Sequence, residues 1–302
     1  LVYICILIAP KISYFFGIVY QIHTTINKIM TINCNGELID LSIPKVMGIL
    51  NVTPDSFFDG GRYTNDCEVL QRVEQMLTDG ATFIDVGGYS SKPNAAAVTV
   101  QEEKARTIPV VASIVQHFPE AIVSIDTFRS DVAQLCLDQG AAIVNDISAG
   151  LLDPLMLKIV ANYQVPYIMM HMKGTPQTMS ALAQYDDLVK EILFYFSERI
   201  AAARSLGISD LIVDPGFGFA KTIDQNFELL RHLDIFKNLD LPILAGVSRK
   251  SMIHKTLQIK PEEALNGTTV LNTLALEKGA AILRVHDVKE AVETIKLWQK
   301  VS

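Results

Sequence analysis

Three oxygen-bearing side chains stand at the ends of short apolar runs, where they could bind one planar ligand. Asp126, Asn145 and Asp214 each close or follow such a run. A carboxylate can accept two parallel hydrogen bonds from an amidine-like edge, and an amide adds a further acceptor. A single Asp after a strand is more often a helix cap, but polar residues follow every apolar run of this chain. The set therefore favours a shared pocket for a flat heterocycle with several N–H donors.

Basic residues near the end of the chain could hold an anion. Arg249 and Lys250 follow one apolar run, and Arg284 and His286 lie at the end of the next. In barrels of alternating strands and helices, phosphate groups are frequently bound by the loops after the last two strands. One set of residues suits a donor-rich ring, and the other suits an anionic leaving group. Together they predict group transfer with release of phosphate or pyrophosphate.

Asn51 is the candidate metal ligand of the chain. It follows the first apolar run and precedes the segment Thr53-Pro54-Asp55-Ser56. Mg²⁺ is usually held by a few protein oxygens together with a substrate phosphate. We therefore expect Asn51 to help orient a hydrated Mg²⁺ beside the anion site.

The elements that must position these residues are short apolar runs separated by longer stretches of helical period. Continuous Ile, Val and Leu is typical of strands that are buried on both faces of a parallel sheet. Amphipathic stretches between the runs, several of which end in glycine, predict a helix after each strand. Eight such units, with no G-x-G-x-x-G after the first, favour a single-domain α/β fold, a (β/α)8 TIM barrel, over an open dinucleotide-binding sheet. The runs are VMGIL (46–50), TFIDV (82–86), AIVSI (121–125), AAIVN (141–145), PYIMM (166–170), LIVD (211–214), PILAG (242–246) and AILRV (281–285).

The first 29 residues differ from the rest of the chain. No Asp or Glu precedes Glu37, and Pro10 and Lys11 interrupt the apolar residues. A membrane span needs a longer unbroken apolar run, and a signal peptide needs a basic start and a small-residue cleavage site. We expect residues 1–29 to be a hydrophobic extension outside the fold and residues 30–302 to form the barrel. A weak membrane anchor is the alternative for the extension.

Composition restricts the partners of the protein. The 302 residues include 26 basic and 33 acidic side chains, with a net charge of −7. This balance predicts no general attraction to nucleic acid or to an anionic membrane. The four cysteines lack the spacing of a zinc finger or of a disulfide scaffold, which is typical of a reducing compartment. We therefore expect a cytoplasmic protein with small-molecule partners.

The segments after the first two strands are long, since connections of this kind usually have about 2–6 residues. They are rich in Gly, Ser and Pro, and they carry Phe57, Phe58 and Tyr89. Long loops at this end of a barrel usually serve the binding site. We expect both loops to cover the bound ring.

Eight segments of the chain resemble, in order, the segments that mark the dihydropteroate synthase family. They are MGILNVTPDSFFDGG, IDVGGYSSKP, SIDT, NDIS, MHMKGTPQTM, DPGFGFAKT, GVSRKSM and RVHDV. The resemblance extends from about Thr31 to the C-terminus. It implies a (β/α)8 barrel, usually a homodimer, that joins p-aminobenzoate to 6-hydroxymethyl-7,8-dihydropterin pyrophosphate with Mg²⁺ and releases pyrophosphate. It also implies that C–O cleavage precedes amine attack and that Asp126 stabilises the cation at the pterin methylene.

The same resemblance implies roles for individual residues. The catalytic set is Asp126, Lys250, Asn51, Arg284 and His286, and the Mg²⁺ ligand is Asn51. The pterin set is Asp126, Asn145, Ile147, Met170, Asp214, Gly246 and Lys250. The pyrophosphate set is Asn51, Ser91, Lys92, Arg284 and His286. The p-aminobenzoate set is Phe57, Ser91, Pro93, Phe219, Lys250 and Ser251.

The chain departs from the usual family pattern in a few places. The second loop reads YSSKP where ESTRP is common, and Lys92 cannot reproduce the guanidinium fork of an arginine. Asn94 and Ala220 stand where glycine is usual, and Phe58 where serine is frequent. These changes bear on loop geometry, substrate affinity and sensitivity to sulfonamides, which mimic p-aminobenzoate in the family, rather than on the type of reaction.

Other functions remain open from the sequence. A pterin-dependent methyltransferase of the same barrel family shares the acidic pterin site, but it needs no cations for pyrophosphate. A Schiff-base aldolase would use Lys250 as its nucleophile, and a metal hydrolase would use His171, Asp126 and His286. A non-catalytic folate-binding protein is the alternative that is not an enzyme. The segments SSKP, SRKS and RVHDV favour the synthase.

Overall fold

The structure is a computed structural model that describes residues 30–52, 64–89 and 98–301. The predicted extension, residues 1–29, lies outside the described residues. Much of both long loops, residues 53–63 and 90–97, also lies outside them.

Eight parallel strands form a closed barrel, as the apolar runs predict. The last strand pairs with the first and with its own predecessor, which closes the ring. Each predicted run coincides with a barrel strand to within about two residues, so the expected (β/α)8 fold is confirmed. The barrel strands are β3 (Lys45–Asn51), β4 (Phe83–Gly87), β5 (Ile122–Asp126), β6 (Ile143–Asp146), β7 (Tyr167–Met170), β8 (Leu211–Asp214), β9 (Ile243–Ala245) and β10 (Ala280–Val285).

Helices connect the strands and cover the outside of the barrel. The predicted glycine stops Gly80, Gly140, Gly207 and Gly279 all have positive φ, as expected of residues that end a helix. No helix in the described parts of the chain is long and apolar enough to span a membrane. The helices are α1 (Thr64–Thr78), α2 (Val100–His117), α3 (Ser130–Asp138), α4 (Met156–Tyr163), α5 (Leu188–Ser205), α6 (Ile223–Arg231), α7 (Ser251–His254), α8 (Leu265–Glu277) and α9 (Val288–Trp298).

An antiparallel hairpin that the sequence analysis missed precedes the barrel. Its strands are β1 (Thr31–Cys34) and β2 (Glu37–Asp40). Ile32 and Ile39 of the hairpin belong to the same buried cluster as Met47 and Phe83 at the amino-terminal ends of β3 and β4. The hairpin therefore closes the lower end of the barrel with apolar side chains, which leaves the carboxyl ends of the strands for the polar residues.

The loop after β8 depends on a glycine. Gly216 has a φ of +75°, and its backbone N–H donates to Asp214 Oδ1 at 2.8 Å. A Cβ at this position would lie 2.1 Å from the carbonyl oxygen of His171 in the loop after β7. Because that oxygen belongs to the backbone, it cannot move aside as a side chain would.

We expect Gly216→Ala to destabilise the fold far more than Gly207→Ala. Gly207 has a similar φ of +84°, but no described heavy atom lies within 4 Å of its Cβ position. Gly207→Ala should therefore cost only the left-handed backbone strain, about 1–2 kcal/mol. Gly216→Ala adds a backbone clash and should lower the free energy of unfolding by more than about 3 kcal/mol. Urea denaturation of both variants measures the difference; equal losses would show that the close approach is unimportant.

Candidate active site

Residues of four adjacent strands, three of them polar, stand at one level of the barrel. In the strand register, Asn51 pairs with Gly87, Gly87 with Asp126, and Asp126 with Asn145. Met170 and Asp214 pair in the same way on β7 and β8. The carboxyl ends of the strands thus bring together residues that are far apart in the sequence.

A buried ionic network connects these residues across the interior of the barrel. Arg284 Nε donates to Asp85 Oδ2 at 2.6 Å, and Arg284 Nη2 donates to Asp126 Oδ2 at 2.6 Å. Asn145 Nδ2 donates to the same Asp85 oxygen at 3.0 Å. The network links β4, β5, β6 and β10, and it contains three of the predicted site residues.

The other predicted polar residues surround Gly246, which follows β9. A Cβ at Gly246 would lie 3.9 Å from Lys250 Nζ, 4.0 Å from Asp214 Oδ2 and 4.0 Å from Arg284 Cβ. The space above this glycine is therefore bordered by an acid and two cations. Lys250 Nζ also donates to the carbonyl oxygen of Phe217. Arg284 belongs to both groups, so Asp126, Asn145, Asp214, Lys250 and Arg284 form one cluster at the carboxyl ends of the strands, and the space that this cluster borders is the candidate pocket.

Burial perturbs the ionisable groups of this pocket. It raises the pKa of Asp126 to about 7 despite the opposing charge of Arg284, and the nearby charge of Asp85 raises that pKa further. Burial also raises the pKa of Asp214 from its ordinary value, against the opposing effect of Lys250. The pKa of Lys250 is lowered by burial to about 8, although Asp214 opposes the shift. Burial acts to lower the pKa of Arg284, but Asp85 and Asp126 outweigh it, so the guanidinium stays charged.

The predicted basic residues do not all face this pocket. Arg249 donates to Asp287 from Nε at 3.0 Å and from Nη2 at 2.5 Å, so its charge is neutralised in a bidentate ion pair. Arg249 thus directs its guanidinium to Asp287, and its expected part in an anion site stays a prediction. His286 has Nδ1 3.0 Å from the hydroxyl oxygen of Ser248, which also accepts a hydrogen bond from the His286 backbone N–H. Ser248 thus orients the imidazole.

An apolar wall lies beside the polar groups. Ile147, Met170 and Ala220 belong to one buried cluster, against which Phe219 packs. The Phe219 ring centroid is 4.9 Å from Lys250 Nζ, and Ser251 begins α7 directly after Lys250. Ile147 and Met170 of the pterin set thus lie in the same region as Phe219 of the p-aminobenzoate set, which contacts Lys250.

A buried lysine holds the loop after β8 in place. Lys221 Nζ contacts His171 Nδ1 at 3.0 Å and donates to the carbonyl oxygens of Gly216 and Phe219 at 2.9 and 3.0 Å. Burial and two lysine charges lower the pKa of His171 to about 2, so the neutral imidazole accepts from Lys221. Sequence reasoning did not identify this tie, because neither residue is near the other in the chain.

The same loop explains one departure from the family pattern. Ala220 has a φ of +49°, the left-handed conformation that glycine adopts without strain. Alanine keeps the conformation here at a cost of about 1–2 kcal/mol, and its carbonyl oxygen accepts a 2.9 Å hydrogen bond from Tyr185 Oη. The loop geometry is therefore retained with alanine.

Several predicted residues cannot be placed in the pocket. The site residues Phe57, Ser91, Lys92 and Pro93 lie outside the described residues, as do Phe58, Asn94 and 53–56. Tyr89, at the start of the second loop, is described. Its ring contacts Phe128 edge-on at 5.2 Å between centroids, and the Arg129 guanidinium lies 5.4 Å from its centroid.

The residues around Gly87 fit a hydrated Mg²⁺. A Cβ at Gly87 would lie 3.8 Å from Asn51 Oδ1 and 3.6 Å from Asp126 Oδ2, so the glycine leaves a space between two oxygens. In the described parts of the chain no group of three or more His, Cys, Asp or Glu could hold a metal. Two oxygens, one from an amide and one from a carboxylate, leave most of an octahedral shell to water and substrate phosphate, which is how Mg²⁺ is usually bound.

Asp85 and Ser248 are site residues whose roles the sequence analysis missed. Asp85 is 0% exposed and lies within β4, where the neighbouring side chains are apolar. A charged residue inside a buried strand is a signal in itself, because an unpaired buried charge is very costly. The sequence shows that signal but does not show that Arg284 is the partner.

Comparison with known proteins agrees with this geometry. Residues 47–286 match the model of the pterin binding enzyme family. Dihydropteroate synthase of Escherichia coli K12 is 45% identical over 270 residues, which cover 89% of this chain and 95% of that enzyme. The structure of Yersinia pestis dihydropteroate synthase with a sulfonamide drug has a TM-score of 0.84 and 42% identity, covering 90% of this chain and 99% of the other. The Xanthomonas albilineans enzyme in complex with 7,8-dihydropteroate has a TM-score of 0.80 and 39% identity, with 90% and 98% covered. The chain therefore belongs to the pterin-binding enzymes and, among them, to the dihydropteroate synthase family.

Proposed function

We propose that this chain condenses 6-hydroxymethyl-7,8-dihydropterin pyrophosphate with p-aminobenzoate to give 7,8-dihydropteroate and pyrophosphate. The observation that carries the proposal is the single pocket in which Asp126, Asp214 and Asn145 face Lys250 and Arg284. The names of the relatives support the synthase, as do the sulfonamide and dihydropteroate in the two similar structures. They favour it over a pterin-dependent methyltransferase.

The acidic side of the pocket suits the pterin. The Asp214 carboxylate and the Asn145 amide can pair with the N–H donors of the ring edge. Ile147 and Met170 provide an apolar face against which the ring can pack, and Gly246 leaves room for it. The pterin is therefore gripped at its edge by hydrogen bonds and across its face by packing.

The basic side suits the pyrophosphate. Arg284 and the Ser248-oriented His286 would hold its oxygens, and Asn51 would hold Mg²⁺ beside them. When bound, Mg²⁺ supplies positive charge that compensates the negative charge of the leaving group. The cations of the chain itself act on the same oxygens and stabilise the charge that develops there.

The proposed reaction separates charge between the two sides. The pterin methylene C–O bond breaks and its electron pair leaves with pyrophosphate, which places positive charge on the pterin. The Asp126 carboxylate lies in the pocket to stabilise that cation. The lone pair of the p-aminobenzoate nitrogen then forms the C–N bond, and the proton of the resulting ammonium passes to water. Lys250, Phe219 and Ser251 would bind the p-aminobenzoate.

A homodimer in the cytoplasm completes the proposal. Val270 and Leu274 are 50% and 48% exposed on α8, and Cδ1 of the 52% exposed Leu257 lies 3.2 Å from the Cβ position of Gly267 on the same helix. An apolar patch of this kind suits a contact between two copies. Cys34, Cys67 and Cys136 are free thiols, a state typical of a reducing compartment.

An assay for released pyrophosphate tests the reaction directly. Rapid release and formation of 7,8-dihydropteroate should require the dihydropterin ester and p-aminobenzoate together. Either substrate alone should give only a slow background. Methyl transfer to a corrinoid or thiol acceptor, with no pyrophosphate formed, would instead identify the methyltransferase.

Removal of the Asp214 carboxylate should weaken pterin binding. Asp214→Ala deletes a buried acceptor and leaves the ring donors unpaired, so the Kd for 6-hydroxymethylpterin should rise about 10- to 100-fold. Calorimetric titration measures it. Asp131→Ala is the control, since this carboxylate is 67% exposed on α3 and touches only Lys104 among the described residues. An unchanged Kd in Asp214→Ala would remove Asp214 from the pterin site.

The pKa values of the pocket predict a bell-shaped pH dependence of kcat/KM. The carboxyl of Asp126 ionises above about pH 7, so activity should rise through that pH. Lys250 loses its proton above about pH 8, so activity should fall beyond it. Asp126→Asn should lower the rate and abolish the acid limb while leaving the basic limb in place. An unchanged acid limb in that variant would mean that another group controls it.

A further inference from the structure

Asp85 holds two site residues with a single oxygen atom. Its Oδ2 accepts from Arg284 Nε at 2.6 Å and from Asn145 Nδ2 at 3.0 Å. Its Oδ1 has no hydrogen-bond partner among the described residues. Because the side chain is 0% exposed, it lies behind the pocket and does not reach a ligand.

The two bonds to Arg284 fix the plane of its guanidinium. Arg284 Nε binds Asp85, and Nη2 binds Asp126 at 2.6 Å from the neighbouring strand. A guanidinium is planar and has five N–H donors, so two carboxylates held by Nε and Nη2 determine where the other donors point. Without Asp85, the group could rotate about its contact with Asp126.

The bond to Asn145 fixes which way its amide faces. The Asp85 oxygen can only accept a hydrogen bond, so Nδ2 of Asn145 must face it. The amide oxygen then lies on the opposite side of the planar group, as the acceptor that an N–H donor of a ring requires. In the flipped orientation, two oxygens would face each other in a buried position.

We propose that Asp85 is a positioning residue that orients the Arg284 guanidinium toward the leaving group and the Asn145 amide oxygen toward the pterin. The inference rests on the proposed function, because the pterin and the leaving pyrophosphate are the ligands of that reaction. It predicts that loss of the bonded oxygen affects pterin binding and turnover together, although Asp85 touches neither substrate.

Asp85→Ala and Asp85→Asn separate positioning from simple burial. Alanine removes the acceptor, so the Kd for 6-hydroxymethylpterin should rise about tenfold and kcat should fall about 100-fold. Asparagine can keep a carbonyl oxygen facing Asn145 and Arg284, with its nitrogen in the place of the unbonded Oδ1. It should restore the Kd to within about threefold of the parent value and recover part of kcat. The KM for p-aminobenzoate should stay within about threefold in both variants.

Glu103→Gln is the matched control for loss of a buried acid. Glu103 is also 0% exposed and bonded to an arginine, with Arg129 Nη1 2.6 Å from its Oε2, but it lies on α2 and bonds no site residue directly; its other partner is Thr127, next to Asp126. Because the charge of Glu103 raises the pKa of Asp126, the variants are compared between about pH 7 and 8, where loss of Glu103 favours the ionised carboxylate. Glu103→Gln should lower the melting temperature while leaving the pterin Kd and kcat within about threefold of the parent values. If Asp85→Ala does not fold, the Asp85→Asn variant still tests the positioning role of Asp85. A pterin Kd raised about tenfold in that variant would overturn the proposal.

Further results distinguish the possible failures. Equal effects of alanine and asparagine on the pterin Kd would overturn the positioning role. An Asp85→Ala enzyme with parent-like kcat and pterin Kd would overturn it as well. The parent enzyme is the reference for the reaction itself: if it releases no pyrophosphate with both substrates present, the proposed function fails. If Arg284→Ala releases pyrophosphate as fast as the parent enzyme, the assignment of Arg284 to the leaving group fails. Loss of release in Arg284→Ala beside a fully active Asp85→Ala variant refutes only the inference about Asp85.

Discussion

The pocket depends on one guanidinium that bridges two carboxylates inside the barrel. Arg284 is 199 residues from Asp85 and 158 from Asp126 in the chain. Burial of two acids without a cation would be prohibitive, whereas burial of the arginine alone would leave a charge unpaired. The network therefore requires that β4, β5 and β10 lie close together, as they do in the closed barrel, where β10 pairs with β3 next to β4.

The remainder of the fold protects this arrangement. Apolar side chains of the hairpin close the lower end of the barrel, where Ile32 and Ile39 pack in one cluster with Met47. At the upper end, Lys221 ties the loop after β8 to the loop after β7. The carboxylate of Asp214 is held in turn by the Gly216 N–H. The polar residues of the site thus lie at the upper end of the barrel. The strands position them, together with the hydrogen-bonded loops after β7 and β8.

Much of this could be predicted from the sequence, because each strand is a local pattern. An apolar run followed by a polar residue identifies both the strand and the level of its site residue, as with Asp126 and Asp214. The hairpin was missed, although Asn35 and Gly36, both with positive φ, form the kind of turn that joins such strands. The ion pairs could not be predicted from the sequence. No local feature distinguishes Arg249, which is bonded to Asp287, from Arg284, which is bonded to site residues. The conformation of Ala220 was also not evident, because its left-handed φ is imposed by the loop around it.

The position of Arg284 between the two sides of the pocket has a consequence for the proposed chemistry. The same cation that is directed to the leaving group is bonded to the acid that would stabilise the pterin cation. As pyrophosphate gains negative charge, it would attract the Arg284 guanidinium more strongly. The guanidinium would then neutralise less of the Asp126 charge at the moment when positive charge develops on the pterin. In the proposed reaction Asp85 would keep the arginine from following the leaving group, because its 2.6 Å bond to Nε holds the side chain against β4. Two acids on one cation thus leave a net negative charge on the pterin side, and the geometry lets both developing charges be met without movement of the barrel.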